Sequence, residues 1–331
     1  MKILPFTRRQ CLRQLAALPL ATGLLRAPAQ AAGVFPSQPV RFVVPYGAGG
    51  TSDVLARYLG QKLAERWGEP VVVENKPGGG TVIGALSVRQ ATDGHSLLVA
   101  NNTHVISPLL MSSVPYDPLA DFTAVCPLAT SDYLLLASPR LKVKTFADFL
   151  ALARSRPGKL NFGTHGVGGL SHLAAELLSA MAGIRMEMVQ YKGAGPALTA
   201  MLGGEVDIYF DAPATTLPYV NEGKLVALAT SGSRGLKQLP QVPTIAEAGV
   251  PGYDVTIWYG LLGPARLPAS SVARIETDVA SVLALPDVQA RLESLGVQPF
   301  QATAGTFKQF MARDQEKYAR IVRERGISMT S

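Results

Sequence analysis

The sequence predicts an α/β fold in two lobes, each a mostly parallel sheet flanked by helices. Three observations carry this expectation. Strand-like and helix-like segments alternate in two blocks, the order that builds parallel sheets covered by helices. The pattern Gly-x-Gly-Gly-x-Ser occurs twice, as Gly47–Ser52 and Gly166–Ser171, each time after a strand-like run and before a helix-like one. An apolar, aromatic segment, Tyr253–Leu262, returns late in the chain after a proline-spaced stretch, so the first lobe is expected to be discontinuous. The expected limits are a leader over 1–31, a first lobe of 32–131 plus 254–331, and a second lobe of 132–253.

The leader begins with a basic segment through Arg13, continues through the short apolar stretch Leu15–Leu25 and ends in Ala29-Gln30-Ala31. This is the layout of a cleaved export signal. Cleavage is expected after Ala31, with Ala32 as the alternative. Thr7-Arg8-Arg9-Gln10-Cys11-Leu12-Arg13 resembles a twin-arginine motif, so general secretory and twin-arginine export both stay open. No small-residue lipobox precedes Cys11, which argues against a lipid anchor. The leader also accounts for most of the chain's charge. Of 31 basic residues, Lys2, Arg8, Arg9, Arg13 and Arg26 lie in it with no acid, and the rest nearly balance the 24 acidic residues. A nucleic-acid partner loses its main support. Only Cys126 would remain after cleavage, in an apolar run, which predicts a buried, inert thiol and no internal disulfide.

In the first block, Val40–Pro45 reads as a buried strand and Thr51–Trp67 as an amphipathic helix with Leu55, Leu59 and Leu63 in register. Val71–Glu74 is a strand ended by the loop Asn75–Gly80, Ile83–Ala91 a helix, Asp93-Gly94 a turn and Ser96–Ala100 a strand. In the second block, the helix Phe146–Arg156 stops at Pro157-Gly158 before the strand Lys159–Gly163. The helix Leu170–Met181 stops at Gly183. Strand Met186–Tyr191, helix Ala194–Leu202, strand Val206–Phe210, helix Ala212–Glu222 and strand Leu225–Thr230 follow. Leu239–Gly252 reads as the return connection, and Ser271–Leu285 and Thr306–Glu324 as long terminal helices.

A glycine loop that opens a helix presents free backbone N–H groups and the positive end of the helix dipole, an anion-receptive surface without a charged side chain. Two such loops in two lobes suggest closure on one small anion, with Ser52 and Ser171 approaching across the cleft. A dinucleotide fingerprint is a poor fit, because Ser52 stands where its third glycine belongs, although Glu74 closes the second strand as that motif expects. No phosphate loop of the Gly-Lys-Ser/Thr type and no Gly-x-Ser-x-Gly nucleophile elbow is present. His165 and His172 bracket the second loop without the i, i+4 spacing of a helical metal pair. No cofactor and no metal are expected. Asp53, in the first turn of a helix, reads either as a partner of the dipole and free N–H groups or as a ligand contact. Ser52 and Ser171 read as helix caps or ligand donors.

The run Phe35–Tyr46 followed by Gly49-Gly50-Thr51-Ser52-Asp53 resembles the opening of the Bug-type periplasmic receptors of tripartite tricarboxylate transporters. The resemblance continues through Glu74–Gly80, Asp93–Leu98, Val114–Pro118, Pro157–Phe162, Ser171–Ala174, Tyr191-Lys192-Gly193, Gly203–Asp207, Val242–Gly249 and Trp258–Leu262. It implies a two-lobed venus-flytrap fold and a non-enzymatic receptor that holds a carboxylated solute by backbone amides, hydroxyls and waters. Carried onto this chain, it implies first-lobe contacts from Tyr46, Gly47, Ala48, Gly49, Gly50, Ser52, Asp53, Asn102, Thr103 and His104. Second-lobe contacts would come from Thr164, His165, Gly166, Val167, Gly168 and Ser171, with Lys192, Gly193 and Asp211 as further candidates. Tyr46-Gly47-Ala48 departs from the usual Phe-Pro or Phe-Ala start of that loop, so ligand preference does not carry across. A monomer delivering its solute to membrane transporter subunits is expected. A receptor serving a sensor, and an exported hydrolase on a two-lobe scaffold, are the alternatives.

Overall fold

The computed structural model describes residues 35–111, 113–164, 166, 168–191 and 193–327. The leader expected over 1–31 lies outside the described residues. The first sheet is six-stranded, in the order β11-β4-β10-β3-β1-β2. Its parallel part is β1 (Val40–Val44), β2 (Val71–Asn75) and β3 (Ser96–Asn101), linked by helices α1 (Thr51–Trp67) and α2 (Val82–Arg89). Helix α3 (Thr103–Leu110) follows β3, and β4 (Phe122–Asp132), β10 (Thr256–Pro264) and β11 (Val297–Pro299) then extend the sheet by antiparallel pairing.

The second sheet runs in the order β7-β6-β8-β5-β9. Strands β6 (Leu160–Thr164), β7 (Met186–Gln190) and β8 (Ile208–Asp211) are parallel, whereas β5 (Leu134–Ala137) pairs antiparallel with both β8 and β9 (Val226–Thr230). Helices α4 (Phe146–Ser155), α5 (Leu170–Ala182), α6 (Ala194–Gly203) and α7 (Pro213–Asn221) belong to this half. Helices α8 (Ala269–Leu283), α9 (Pro286–Ser294) and α10 (Ala304–Arg325) complete the chain. Both sheets are therefore mixed, where mostly parallel ones were expected. The difference arises in the 122–137 segment, whose strands β4 and β5 pair antiparallel, and in the antiparallel direction of the return strand β10.

Side-chain alternation places each strand residue. Leu135 and Ala137 of β5 face the core shared with α4, α5 and the first sheet, while Leu134 and Leu136 join a second cluster with Ala197, Ala200 and Met201 of α6. The second sheet is thus covered on both faces, as its near-continuous apolar strands require. Helix α1 buries Leu55, Leu59, Leu63 and Trp67, and Gly68 in the left-handed conformation ends it by donating to Ala64 O. Buried Asp278 of α8 ties that helix to α1, accepting from Arg66 Nε at 2.6 Å, Trp67 Nε1 at 2.8 Å and Arg274 Nε at 2.5 Å.

The chain passes between sheets at Tyr133, between β4 and β5, and again between β9 and β10. One buried residue stitches these passages together. Ser231 N donates to Tyr133 O at 2.9 Å, and Val255 N donates to Ser231 O at 2.8 Å. The Ser231 hydroxyl accepts from Tyr133 N at 2.8 Å and donates to Val255 O at 2.6 Å. Gly232 follows because the Asp132 carboxylate lies where its Cβ would be. A cavity of about 320 Å³ opens at this crossing, lined among others by Asp132, Arg234, Asp254, Phe300, Arg313 and Lys317, and by no residue of either glycine loop. Burial, reinforced by the neighbouring Asp254 and opposed by Arg234, pushes the Asp132 carboxyl up to about 7.

Two expectations follow. Ser231→Ala leaves the Tyr133 amide and the Val255 carbonyl without their partner and should cost about 2–4 kcal/mol in a denaturant titration. Asp132 holds in the folded chain a proton that the unfolded chain releases, so its contribution is full below about pH 4 and is lost as pH rises through about 7. Asp132→Asn should therefore raise stability at pH 8 by about 1–2 kcal/mol, allowing for partial exposure, and leave it unchanged at pH 4, read from thermal melts at both values.

Candidate functional site

The first glycine loop leaves the C-terminal end of β1 at Pro45. Gly47–Gly50 are exposed, and Gly49 has a φ of +88°, which a side chain would adopt only under strain. Helix α1 then starts at Thr51 with no side chain capping it. Among the described residues, the amides of Thr51 and Ser52 have no intrachain acceptor. The loop is held from beneath by Asp53. Its Oδ2 accepts from Gly49 N at 2.9 Å and Arg57 Nε at 3.1 Å, and its Oδ1 from Asn75 Nδ2 and Arg57, both at 2.9 Å. Burial alone would raise its pKa, but the bonds from Arg57, Gly49 and Asn75 outweigh burial and hold the carboxyl below the usual range. With both oxygens engaged, Asp53 fastens the loop, the first of its two sequence readings. Asn75 also donates to Tyr46 O at 3.1 Å, and the Tyr46 hydroxyl donates to Asn101 Oδ1 at 2.5 Å. Ser52 is buried, and its hydroxyl has no hydrogen-bond partner among the described residues.

The second loop leaves β6 at Thr164, which is fully buried. Thr164 Oγ1 donates to Gly166 O at 2.9 Å, accepts from Gly166 N at 3.3 Å and lies 3.1 Å from Ser171 Oγ. Ser171 is itself fully buried, so its hydroxyl serves the loop's interior. Gly168, at φ +73°, donates its N–H to His172 Nδ1 at 2.9 Å, which leaves the proton of the neutral imidazole on Nε2. Burial lowers the His172 pKa against the pull of Glu176. Gly169 caps α5 with no side-chain bond, and Gly193, at φ +108°, stands in the same position before α6. His165, Val167 and Lys192 lie outside the described residues.

Asp211 ends β8, paired with Leu134 at the crossing. It is 4% exposed, accepting from Ala212 N at 2.8 Å and from Thr215 Oγ1 at 3.0 Å. Burial pushes its carboxyl up to about 7 against these bonds. Its charge acts on Tyr133, Tyr209 and Tyr259. The pKa of Tyr259, on β10 of the first sheet, is raised mainly by burial, with Thr51 of the first loop acting against it and the Asp211 charge adding to it. Neither Tyr259 nor Tyr133 was among the sequence candidates. Tyr259 stood inside the Trp258–Leu262 motif, but nothing local marked it as facing the loops.

Two first-lobe candidates turn into the core. Asn102 is fully buried, donating from Nδ2 to Thr256 O at 3.0 Å and Asp314 Oδ2 at 2.8 Å, and accepting from Trp258 N at 3.0 Å. Trp258 Nε1 meets the same Asp314 oxygen at 2.9 Å, so this knot docks α10 on β10 and β3. His104 stacks on Tyr116 at 5.6 Å, and its Nε2 donates to Pro118 O at 3.0 Å, which places the proton on Nε2. Burial lowers its pKa to about 4, and it is a core imidazole. Thr103 remains half-buried beside the Tyr46 phenol, its amide bonded to Asn101 Oδ1 at 2.9 Å.

The described parts of both loops offer backbone amides and hydroxyls and no cationic side chain, a chemistry suited to a small anion. Among the described residues no cluster of His, Cys, Asp and Glu could hold a metal ion, and no helix is long and apolar enough to cross a membrane. Burial pushes the Cys126 thiol far up, away from the reactive thiolate.

Residues 55–327 match the family described as the tripartite tricarboxylate transporter family receptor. Protein BugT of Bordetella pertussis is 31% identical over 313 residues, 94% of this chain and 96% of that protein. Among solved structures, Rpa4515 of R. palustris, determined with adipate, superposes with a TM-score of 0.82 at 30% identity, covering 89% of this chain and 99% of that one. MatC of Rhodopseudomonas palustris, determined with bound malate, gives 0.77 at 33% identity, covering 87% and 100%. The two-sheet architecture is that of the two-lobed binding proteins, and the chain belongs to the tripartite tricarboxylate transporter receptor family.

Proposed function

We propose that this chain is a periplasmic receptor that captures a small carboxylate between its two lobes and delivers it to a tripartite transporter in the membrane. It acts as a monomer without catalysis, after export and removal of a signal peptide ending at Ala31. The lobes are 32–131 plus 254–331, and 132–253, meeting at the crossing held by Ser231. The observation that carries this reading is the pair of glycine loops, each ending in a helix start that no side chain caps. The adipate and malate held by the similar Rpa4515 and MatC support the ligand class.

The magnitudes agree with a cradle built mainly of backbone. A helix N-terminus contributes about 0.3–1 kcal/mol toward an anion, and up to about 2 kcal/mol when partly buried. Micromolar affinity requires about 8 kcal/mol. Two helix starts therefore supply a minor part, and direct and water-bridged hydrogen bonds supply the rest.

The mature chain, freed of co-purified solute by unfolding and refolding, should bind some of adipate, malate, citrate and aspartate saturably at about micromolar affinity or tighter in titration calorimetry. Saturable binding of none of these acids, by protein with an intact melting transition, refutes the carboxylate assignment. Gly49→Ala and Gly168→Ala force a side chain into a left-handed backbone and should each weaken binding by about tenfold while costing about 1–2 kcal/mol of stability. Equal affinity in both variants would remove the loops from the site.

A further inference from the structure

We propose that Asp211 makes the cleft select carboxylates that carry a second hydrogen-bond donor, an ammonium or a hydroxyl, over plain dicarboxylates. The proposal rests on the reading of the glycine loops as the carboxylate cradle and names what the rest of the cleft recognises.

Asp211 is the acid at the end of β8, and its surroundings leave it incomplete. The carboxyl is 4% exposed, yet only the Ala212 amide, at 2.8 Å, and the Thr215 hydroxyl, at 3.0 Å, donate to it. An ionised carboxylate offers about four acceptor positions, so half of its capacity is unused. No lysine, arginine or histidine stands within ion-pair distance of it among the described residues. A buried carboxylate with no cation is costly unless a charge or donor meets it. Asp53 shows the contrast within the same protein, with Arg57 and Asn75 filling both of its oxygens.

The position of Asp211 makes this incompleteness a matter for the ligand. Leu134, its partner on β5, is the first residue after the passage between sheets. Its strand, β8, runs parallel to β6, in register through Gly163 and Tyr209, so Asp211 lies beside the end of β6 that opens the second cradle. The phenols of Tyr133, Tyr209 and Tyr259 are within reach of its charge. The Tyr209 hydroxyl is buried with no hydrogen-bond partner among the described residues. An acid placed beside an anion cradle repels a second carboxylate that lacks a proton. It attracts an ammonium or a hydroxyl on the same molecule. The cradles thus take the carboxylate, and Asp211 takes the donor.

Matched pairs of acids isolate this effect: aspartate and malate against succinate, and 2-aminoadipate against adipate. Each pair has the same carbon chain and differs in one donor. Titration calorimetry on the mature chain should show at least one donor-bearing acid bound about tenfold or more tightly than its plain partner. Asp211→Asn keeps an acceptor for the Ala212 amide and should bring that ratio to within about threefold while carboxylate binding persists. Asp211→Ser also keeps such an acceptor and replaces it if the amide variant does not melt cooperatively. An unchanged ratio in these variants, or a wild-type preference for the plain diacids, overturns the proposal and leaves the carboxylate cradle standing. Failure of wild type and variants to bind any of the acids overturns the cradle and the proposal together.

Discussion

The two halves of this protein are joined through the hydrogen bonds of Ser231. Its amide, carbonyl and hydroxyl together meet Tyr133 and Val255, the residues at which the chain passes from one sheet to the other. A passage between sheets leaves the ladder of each sheet, so its polar backbone groups must find partners elsewhere. Here a single buried hydroxyl serves as both acceptor and donor. The crossing is narrow, with one residue, Tyr133, between β4 and β5. Strand β5, paired with β8 up to Asp211, and strand β10 both begin at this crossing.

The glycine loops follow a common plan with different fasteners. In each, a parallel strand ends, a glycine turns at positive φ, and a helix begins without a side-chain cap. The first loop is fastened by a carboxylate, Asp53, acting on the Gly49 amide, and the second by a hydroxyl and an imidazole, Thr164 and His172. Polar side chains that look available for ligands are therefore partly spent on holding backbone amides in place. A rigid cradle of that kind loses little entropy on binding and leaves specificity to groups outside the loops. Asp211, at the end of β8, is the group proposed for that part.

The fold was legible wherever local pattern and tertiary context agreed. The first block, with β1, α1, β2 and β3, and the second, from α4 to β9, follow the periodicity of their apolar residues. The 122–137 segment was not legible. An apolar run of that length does not distinguish a strand from a buried helix, and nothing local shows that one run serves two sheets. The short β11 depends on pairing with β4 for its existence. Among the site residues, Asn102 and His104 are expected as ligand contacts only through the family resemblance. Their side chains are claimed by Asp314, Trp258 and Pro118, which lie 14 to 212 residues away in sequence.

By itself the sequence determined the two glycine loops, their placement between strand and helix, the α/β class and the family. Each of these is written in short stretches whose backbone preferences are local. Only the tertiary structure decided which side chains turn toward the cleft and which turn into the core. It also decided that Ser231 clasps the crossing. Those outcomes depend on contacts between segments far apart in the chain. A residue's partner there is chosen by packing and by the need to satisfy buried polar groups, and no pattern within its own segment records that choice.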